Sequence, residues 1–262
     1  MSLQLAAVYS SSLIELLTKE QILIDRIVVY PWHTKAEINK ARSCCPILLH
    51  NMPPPFVLNH PNPFDKEVMD QFKKLLTISN PDSFSMNLVC GNISTEHDKK
   101  TAPCPESQSQ SQVYLNVCRN ALRLKEWLQV PLALRNMGLL ANDAYEYASE
   151  PLFITAVLDA VSCDFALDIA HARTSAHNLQ FDLERYLRSL PLFRAREIIV
   201  SGPRLRNGIM IDTHGSLQDD DWQALDFVLA RTSPQIVTLE YTGKKESLQS
   251  QLERMQTILQ AI

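Results

Sequence analysis

Glycine is scarce in this sequence, and the few glycines present are not spaced to hold phosphate groups. Six occur among 262 residues, and none of their spacings forms GxGxxG or GxxxxGK. Those motifs are the loops with which dinucleotide-binding proteins and P-loop enzymes cradle phosphates on backbone amides. Their absence argues against both classes of protein.

An excess of basic charge, CxxC cysteine pairs and long apolar runs are also missing. Lys and Arg number 25 against 29 Asp and Glu, so the formal net charge is −4 and nucleic acid is not an expected partner. No run of about 18 apolar residues is present, so we expect no membrane partner. The six cysteines include no CxxC pair and the N-terminus lacks a secretory pattern. These features predict a reduced, cytoplasmic chain.

Short β-type segments alternate with helix-period segments eight times along the chain. Several of the β-type segments are apolar at nearly consecutive positions, as in a parallel sheet that is covered on both faces. The predicted strands cover 3–10, 25–32, 46–51, 82–90, 130–137, 164–172, 195–202 and 234–243. The predicted helices cover 12–20, 34–43, 65–78, 112–128, 150–162, 182–190, 219–231 and 247–260.

Eight strand–helix units predict an α/β fold, with residues 1–262 forming one (β/α)8 TIM-barrel domain. A doubly wound open sheet alternates in the same way, but its usual glycine fingerprint is absent. The longest irregular stretch follows predicted strand four. We interpret residues 92–112 within it as a flexible insertion rather than a substrate lid.

Polar residues stand at the C-terminal ends of the predicted strands, where a TIM barrel builds its active site. Most of them interrupt apolar segments, in which an unpaired buried charge would cost several kcal/mol, so each needs a partner. The candidate metal ligands are His50, Asp168 and His171 on strand six, Asp212 and His214 after strand seven, and Glu240 at the end of strand eight. The residues predicted to line the same site are Asn87, Arg135, Asn136, Arg173, Glu197 and Ser201.

Three carboxylates and three imidazoles at one face are typical ligands of non-haem iron, manganese or zinc. The strongest local piece is the Asp-Thr-His triplet. Alternation along an extended segment would direct Asp212 and His214 the same way, about 7 Å apart. The triplet therefore suits one shared ion or two neighbouring ions.

Each candidate also has a structural interpretation. His50 could be a core histidine that a backbone carbonyl satisfies. Asp168 could cap the next helix or pair with Arg173. Glu240 could pair with a nearby basic residue, either Lys244 or Arg135. The functional interpretation rests on coincidence, since residues far apart in sequence share one predicted location.

Three segments that contain the candidate ligands resemble a known family: FALDIAH (165–171), MIDTHG (210–215) and VTLEY (237–241). The family is that of the multinuclear non-haem iron-dependent oxidases of the methanobactin oxazolone-synthase type, which modify cysteines in ribosomal peptides. The resemblance implies a xylose-isomerase-like barrel and a separate peptide-recognition protein as a partner. It also implies that the family's ligand positions are His50, Asp168, His171, Asp212, His214 and Glu240.

Three positions depart from the family pattern. Asn87 and Ile199 stand where the family has histidines, so two nitrogen ligands are lost. Arg135 stands where the family has a glutamate, and its guanidinium cannot lose its proton in a protein. Beside Asp168 or Glu240, that guanidinium would occupy the place of a metal charge. Two alternatives stay open: a reduced site with at most one or two ions, and a barrel with none.

Three functions follow from these alternatives. The first is a metal-dependent, oxidase-like enzyme that acts on a peptide or small thiol. The second is a catalytically degenerate barrel that binds a peptide or a partner protein on the same face. The third keeps the fold and changes the chemistry to that of a sugar isomerase. In each case the ligand, a peptide or a small molecule, is expected at the C-terminal face of the barrel.

Overall fold

A computed structural model describes residues 3–89, 108–138 and 145–261. Eight parallel strands close into a barrel in the order β1–β10–β7–β6–β5–β4–β3–β2, which confirms the predicted (β/α)8 fold. The barrel strands are β1 (Gln4–Val8), β2 (Arg26–Val29), β3 (Ile47–His50), β4 (Ser83–Asn87), β5 (Leu132–Arg135), β6 (Asp164–Asp168), β7 (Ala195–Val200) and β10 (Ile236–Leu239). The antiparallel pair β8 (Gly202–Arg206) and β9 (Ile209–Gly215) forms a separate two-stranded sheet.

Helices follow the barrel strands, and capping residues mark where several of them begin. Thr34 and Ser109 each form a capping box with the residue three positions later. The helices are α1 (Ser11–Thr18), α2 (Lys35–Arg42), α3 (Lys66–Ser79), α4 (Gln110–Trp127), α5 (Pro151–Val161), α6 (Ile169–Asn178), α7 (Leu183–Ser189), α8 (Asp219–Leu229) and α9 (Lys245–Gln260). No helix in the described residues is both long and apolar enough to cross a membrane.

Alternation along the strands divides the core into two parts. One set of side chains packs between the strands and the surrounding helices, and it forms the larger cluster. The other set points into the barrel, where Ala6, Val28 and Leu48 pack together on one side and Ala133, Ala166 and Ile199 on the other. Because side chains alternate with a period of two, the residue two positions after each interior side chain also points inward, at the C-terminal mouth.

Several predicted strands extend past the observed ones, and the difference matters most at strand six. Predicted strand six was extended to residue 172, but β6 ends at Asp168 and α6 begins at Ile169. Asp168 accepts a hydrogen bond from the backbone N–H of His171 at 3.0 Å, so it caps this helix. His171 therefore lies in the first turn of α6 and not on a strand. The predicted insertion over 92–112 reaches into α4, and its residues 92–107 lie outside the described residues.

The β8–β9 hairpin was missed. The sequence Arg-Asn-Gly-Ile at 206–209 is the signal that could have found it, because Asn-Gly between β-type residues favours a two-residue hairpin turn. The hairpin matters for the site, because Asp212 and His214 lie on β9. The sequence predicts both residues directly after barrel strand seven, but β8 lies between that strand and β9.

Candidate functional site at the barrel mouth

Interior alternation brings most of the predicted site residues to one place. Val28 leads to Tyr30, Leu48 to His50, and Ala133 to Arg135, each two residues further along an inward-facing row. The same rule applies on β4, β6, β7 and β10, and it places Asn87, Asp168, Ser201 and Glu240 at the mouth. Tyr30 was not predicted, although this alternation could have identified it.

Arg135 is the centre of the mouth, with 5% of its surface exposed. Its Nη1 lies 3.3 Å from Oε2 of Glu240 and 3.6 Å from Oδ2 of Asp168. Its Nε donates a hydrogen bond to Oδ1 of Asn87 at 2.7 Å. Burial alone would lower the pKa of the guanidinium, but Tyr30, Glu240 and Asp168 outweigh burial and raise it. Of the two basic partners considered for Glu240, Arg135 is therefore the one in contact with it.

Tyr30 holds the second oxygen of Glu240. Its hydroxyl donates a short hydrogen bond to Oε1 of that carboxylate. The Tyr30 ring is stacked on Trp32 with centroids 4.4 Å apart, and it meets the edge of the His50 ring at 5.6 Å. Burial raises the pKa of Glu240, but the positive charges of His214 and Arg135 have the larger combined effect and lower it. Glu240 is therefore held as a carboxylate between a phenol and a guanidinium.

Asp212 joins two histidines from different elements. His214 Nε2 lies 3.0 Å from Oδ2 of Asp212, and His171 Nε2 lies 3.5 Å from the same oxygen. The other carboxylate oxygen of Asp212 accepts a hydrogen bond from the Ser201 hydroxyl at 2.8 Å. Although burial opposes its charge, the two imidazoles hold the pKa of Asp212 well below its ordinary value. His171 also contacts Asp168, with Nδ1 3.4 Å from Oδ2.

The strand carrying Asp212 and His214 is irregular. The backbone of His214 has a φ of 46°, in the left-handed region, and the β8–β9 pairing shifts register between Gly202 and Pro203. A regular extended segment would keep the two side chains parallel and apart. The irregularity instead turns the imidazole back onto the carboxylate. Partial desolvation of the half-exposed ring lowers the pKa of His214, but the negative charge of Asp212 outweighs it and raises the pKa to about 10.

Three further predicted residues make hydrogen bonds or ion pairs next to these contacts: Asn136, His50 and Glu197. The Asn136 side chain accepts a hydrogen bond from the backbone N–H of Asp168 at 2.8 Å and donates one to the Asp168 carbonyl at 2.9 Å. His171 Nδ1 lies 2.8 Å from the Asn136 carbonyl, so this ring nitrogen carries the proton and donates it. His50 Nε2 lies 3.1 Å from Glu197, which also accepts a hydrogen bond from Thr238 at 2.5 Å.

Arg173 is the one predicted site residue that the structure directs elsewhere. It forms a close ion pair with the buried Asp221 of α8 and a longer one, at 3.7 Å, with Asp220. Arg204 of β8 lies 3.9 Å from the same Asp221. These contacts join α6, the hairpin and α8. The carboxylate of Asp168 was considered as a partner for Arg173, but it contacts Arg135 and His171 instead.

A family model for RiPP precursor modification enzymes, named MbnB/TglH/ChrH, matches residues 21–262. The chain belongs to this family. UPF0276 proteins are among its relatives: that of Paraburkholderia phytofirmans is 26% identical over 209 residues, and that of Acaryochloris marina is 25% identical over 205 residues. Each alignment covers 78% of this chain, and they cover 66% and 72% of the two relatives.

Solved structures support the xylose-isomerase-like barrel expected of a member of the MbnB/TglH/ChrH family. A D-tagatose 3-epimerase-like protein matches with a TM-score of 0.60 and 13% identity, over 99% of this chain and 98% of that one. A xylose isomerase domain-containing protein of Salmonella typhimurium matches with a TM-score of 0.62 and 10% identity, over 98% and 97%. At these identities the likeness shows the fold and not the substrate.

The three residues that depart from the pattern implied by the resemblance each have a structural partner in this chain. Asn87 accepts the hydrogen bond from Arg135, so these two departures contact each other. Ile199 points into the barrel and packs against Ala133 and Ala166. A histidine at 199 would replace an apolar contact below the mouth, whereas the isoleucine fills it.

These residues do not fit the multinuclear metal centre that the resemblance implies. Among residues 3–89, 108–138 and 145–261, no group of three or more His, Cys, Asp or Glu side chains is arranged to hold a metal ion. The reason is visible at Arg135, whose guanidinium lies against both Asp168 and Glu240. A cation bound to those carboxylates would have to share the space with this fixed positive charge.

Proposed function

We propose that this chain is a peptide-binding member of the MbnB/TglH/ChrH family in which internal ion pairs take the place of a metal centre. The observation that carries the proposal is the position of Arg135 between Asp168 and Glu240, two of the positions that the resemblance assigns to metal. Its guanidinium supplies the positive charge that a cation would supply, and it stays protonated. We name the six residues Arg135, Asp168, His171, Asp212, His214 and Glu240 the mouth network.

The charges at the mouth support this proposal because each carboxylate has a basic side chain beside it. Burying a carboxylate is costly unless it is paired, and here the pairing comes from the protein itself. The contacts are Asp168 with Arg135 and His171, Asp212 with His171 and His214, Glu240 with Arg135 and His214, and Glu197 with His50.

The peptide part of the proposal rests on the family and on the groups accessible at the rim. The matching family model describes enzymes that modify peptide precursors. His214 and Trp32 are 51% and 44% exposed, and both lie on the Glu240 side of the mouth. His214 contacts Glu240 itself, whereas Trp32 stacks on Tyr30, which contacts Glu240. An aromatic face and an imidazole are groups that contact peptide side chains and carbonyls well.

One observation favours the second candidate, a metal-dependent oxidoreductase that acts on a peptide or small thiol with bound iron, manganese or zinc. Oδ2 of Asp168 is buried and accepts no hydrogen bond from the described part of the chain. An unsatisfied carboxylate oxygen is costly, and a bound cation would satisfy it. The first experiment therefore has to separate these two candidates.

Metal content separates them. Protein purified without chelator and analysed for iron, manganese and zinc is expected to contain far less than one ion per chain, even after incubation with each metal. Stoichiometric metal would contradict the first candidate, because the guanidinium and the ion would then have to coexist.

Restoring the family residues provides the matched test. The triple variant Arg135→Glu, Asn87→His and Ile199→His is expected to take up metal, because the guanidinium is removed and three ligands are added. Arg185→Glu serves as the control, because it makes the same charge change on an exposed side chain of α7. Equal uptake by the triple variant and this control would count against the proposal.

Peptide binding is tested by NMR, with a short capped peptide that contains one cysteine and the same peptide with serine in its place. We expect the Trp32 indole and His214 imidazole signals to shift on addition of peptide. Unchanged signals for both groups at saturating peptide would contradict the peptide part of the proposal. A response to the cysteine peptide alone would favour the thiol-directed alternative.

A further inference from the structure

The turn of the β8–β9 hairpin determines which backbone groups point outward. Asn207 and Gly208 have φ values of 51° and 81°, and Arg206 pairs with Ile209 across them. This is a two-residue turn with both central residues in the left-handed region, and the residues that flank such a turn form a hydrogen-bonded pair. The next pair, Leu205 with Met210, is then a non-hydrogen-bonded pair. The N–H and C=O groups of Leu205 and Met210 therefore point away from each other.

The β9 edge confirms this parity and is already occupied. The Asn178 side chain of α6 donates a hydrogen bond to the Met210 carbonyl and accepts one from its N–H, both at 2.9 Å. One amide thus satisfies the outward donor and the outward acceptor of Met210, and it joins the hairpin to α6.

The β8 edge has the same pair of outward groups without such a cover. Neither the N–H nor the C=O of Leu205 has a hydrogen-bond partner within the described ranges, and the side chain is 59% exposed. The neighbouring Pro203 carbonyl accepts a hydrogen bond from Arg204 at 2.8 Å, so the open stretch is short and centred on Leu205. Arg206 is exposed, and no carboxylate of the described residues lies within ion-pair distance of it.

The open edge leads to the mouth. β8 begins at Gly202, directly after Ser201, whose hydroxyl contacts Asp212 in the mouth network. We infer that the outer edge of β8 is a docking strand for an extended, acidic peptide segment, which pairs with the Leu205 backbone and is directed towards the mouth. This inference rests on the proposed function. An extended peptide supplies the backbone donor and acceptor that Leu205 lacks, and an acidic side chain complements Arg206.

The test uses the full chain and a short capped peptide of alternating valine and glutamate. Leu205→Pro removes the outward N–H and leaves the hydrogen-bonded pairs of the hairpin in place. Leu205→Ala is the matched control, because it keeps the N–H and shortens the side chain. We expect binding to Leu205→Pro to be at least about fivefold weaker than to Leu205→Ala, since one backbone hydrogen bond is lost. Equal affinities, with both variants folded by circular dichroism, would overturn the inference.

Two further readouts remain informative if the proline variant does not fold. Exchange of the Leu205 amide with solvent deuterium, measured on the unmodified chain, is expected to slow at least about tenfold when the peptide is added. The same peptide with N-methylated alternate amides, which cannot pair along a strand edge, is expected to give no slowing. Unchanged exchange with the first peptide, or equal slowing with both, would overturn the inference.

The outcomes also separate this inference from the proposed function. Peptide binding that shifts Trp32 and His214 without protecting the Leu205 amide would leave the mouth as the binding site and remove the docking strand. Protection of Leu205 in a protein that contains stoichiometric metal would leave the docking strand and remove the ion-pair proposal.

Discussion

Arg135 donates a hydrogen bond from its Nε to the side-chain oxygen of Asn87 at 2.7 Å, so two of the three departures from the family pattern are in direct contact. Two positions that the resemblance assigns to metal ligands are here a hydrogen-bond donor and its acceptor. The other end of the same guanidinium contacts Glu240 and Asp168. The asparagine suits the arginine, because its neutral carbonyl accepts the Nε–H bond, whereas an apolar residue at 87 would leave the Nε unsatisfied.

Removing Arg135 is expected to destabilise the fold strongly. Arg135→Met leaves Glu240 and Asp168 buried without their cation, and breaking a buried ion pair from one side costs about 3 to 5 kcal/mol. The measurement is the free energy of unfolding from urea titration. The double variant with Glu240→Gln is expected to lose less than the sum of the two single losses, because the residues interact. Additive losses would contradict the ion pair.

His214 is expected to keep its proton well above neutral pH. Its pKa is raised to about 10 in the folded chain, whereas an unfolded histidine has a pKa of about 6.5. Its contribution to stability is therefore fully present below the unfolded value and is lost as pH rises through about 10. Imidazole chemical shifts across this range measure the pKa directly. Asp212→Asn is expected to lower the pKa, and an unchanged value in that variant would contradict the assignment to Asp212.

Asn178 is expected to hold the hairpin, whose residues take part in three of the four histidine–carboxylate contacts of the mouth network. Asn178→Ala leaves the Met210 N–H and C=O without partners and is expected to cost about 1 to 2 kcal/mol of unfolding free energy. Deuterium exchange of the Met210 amide should become faster than in the unmodified chain. The matched control Asn178→Asp keeps an acceptor for the N–H, so it is expected to preserve more of the protection. Exchange in Asn178→Ala that is no faster than in the unmodified chain would show that the amide does not hold the hairpin.

Ile199→His alone is expected to destabilise the barrel without creating a metal site. It places a polar ring against Ala133 and Ala166, where burial without a hydrogen bond costs about 1 to 3 kcal/mol. Metal uptake should stay at the level of the unmodified chain, because Arg135 is still present. Thermal unfolding and metal analysis of this variant, compared with Ile199→Val, check the two statements separately. Metal uptake by Ile199→His alone would show that the guanidinium is not the obstacle.

Much of the architecture was predictable because it depends on local regularities. Apolar segments bounded by turn residues predicted all eight barrel strands, and eight strand–helix units can close in few ways. The same reasoning identified the C-terminal strand ends as the place where distant polar residues meet. It failed where a polar residue ended a strand early, because Asp168 reads equally well as part of an apolar run and as a helix cap.

The partners within the site were decided by tertiary structure. The sequence determined that Arg135 places a fixed positive charge among the polar residues at the strand ends, and the resemblance predicted that these positions belong to a metal-binding pattern. It left open whether that charge meets Asp168 or Glu240, and the closed barrel brings it to both. It did not indicate Tyr30 as the partner of Glu240, 210 residues away. Strand alternation, a local property of the sequence, determines which side chains point inward. Barrel closure and the irregular hairpin determine which of those side chains touch, because the contacts join elements that are far apart in the chain.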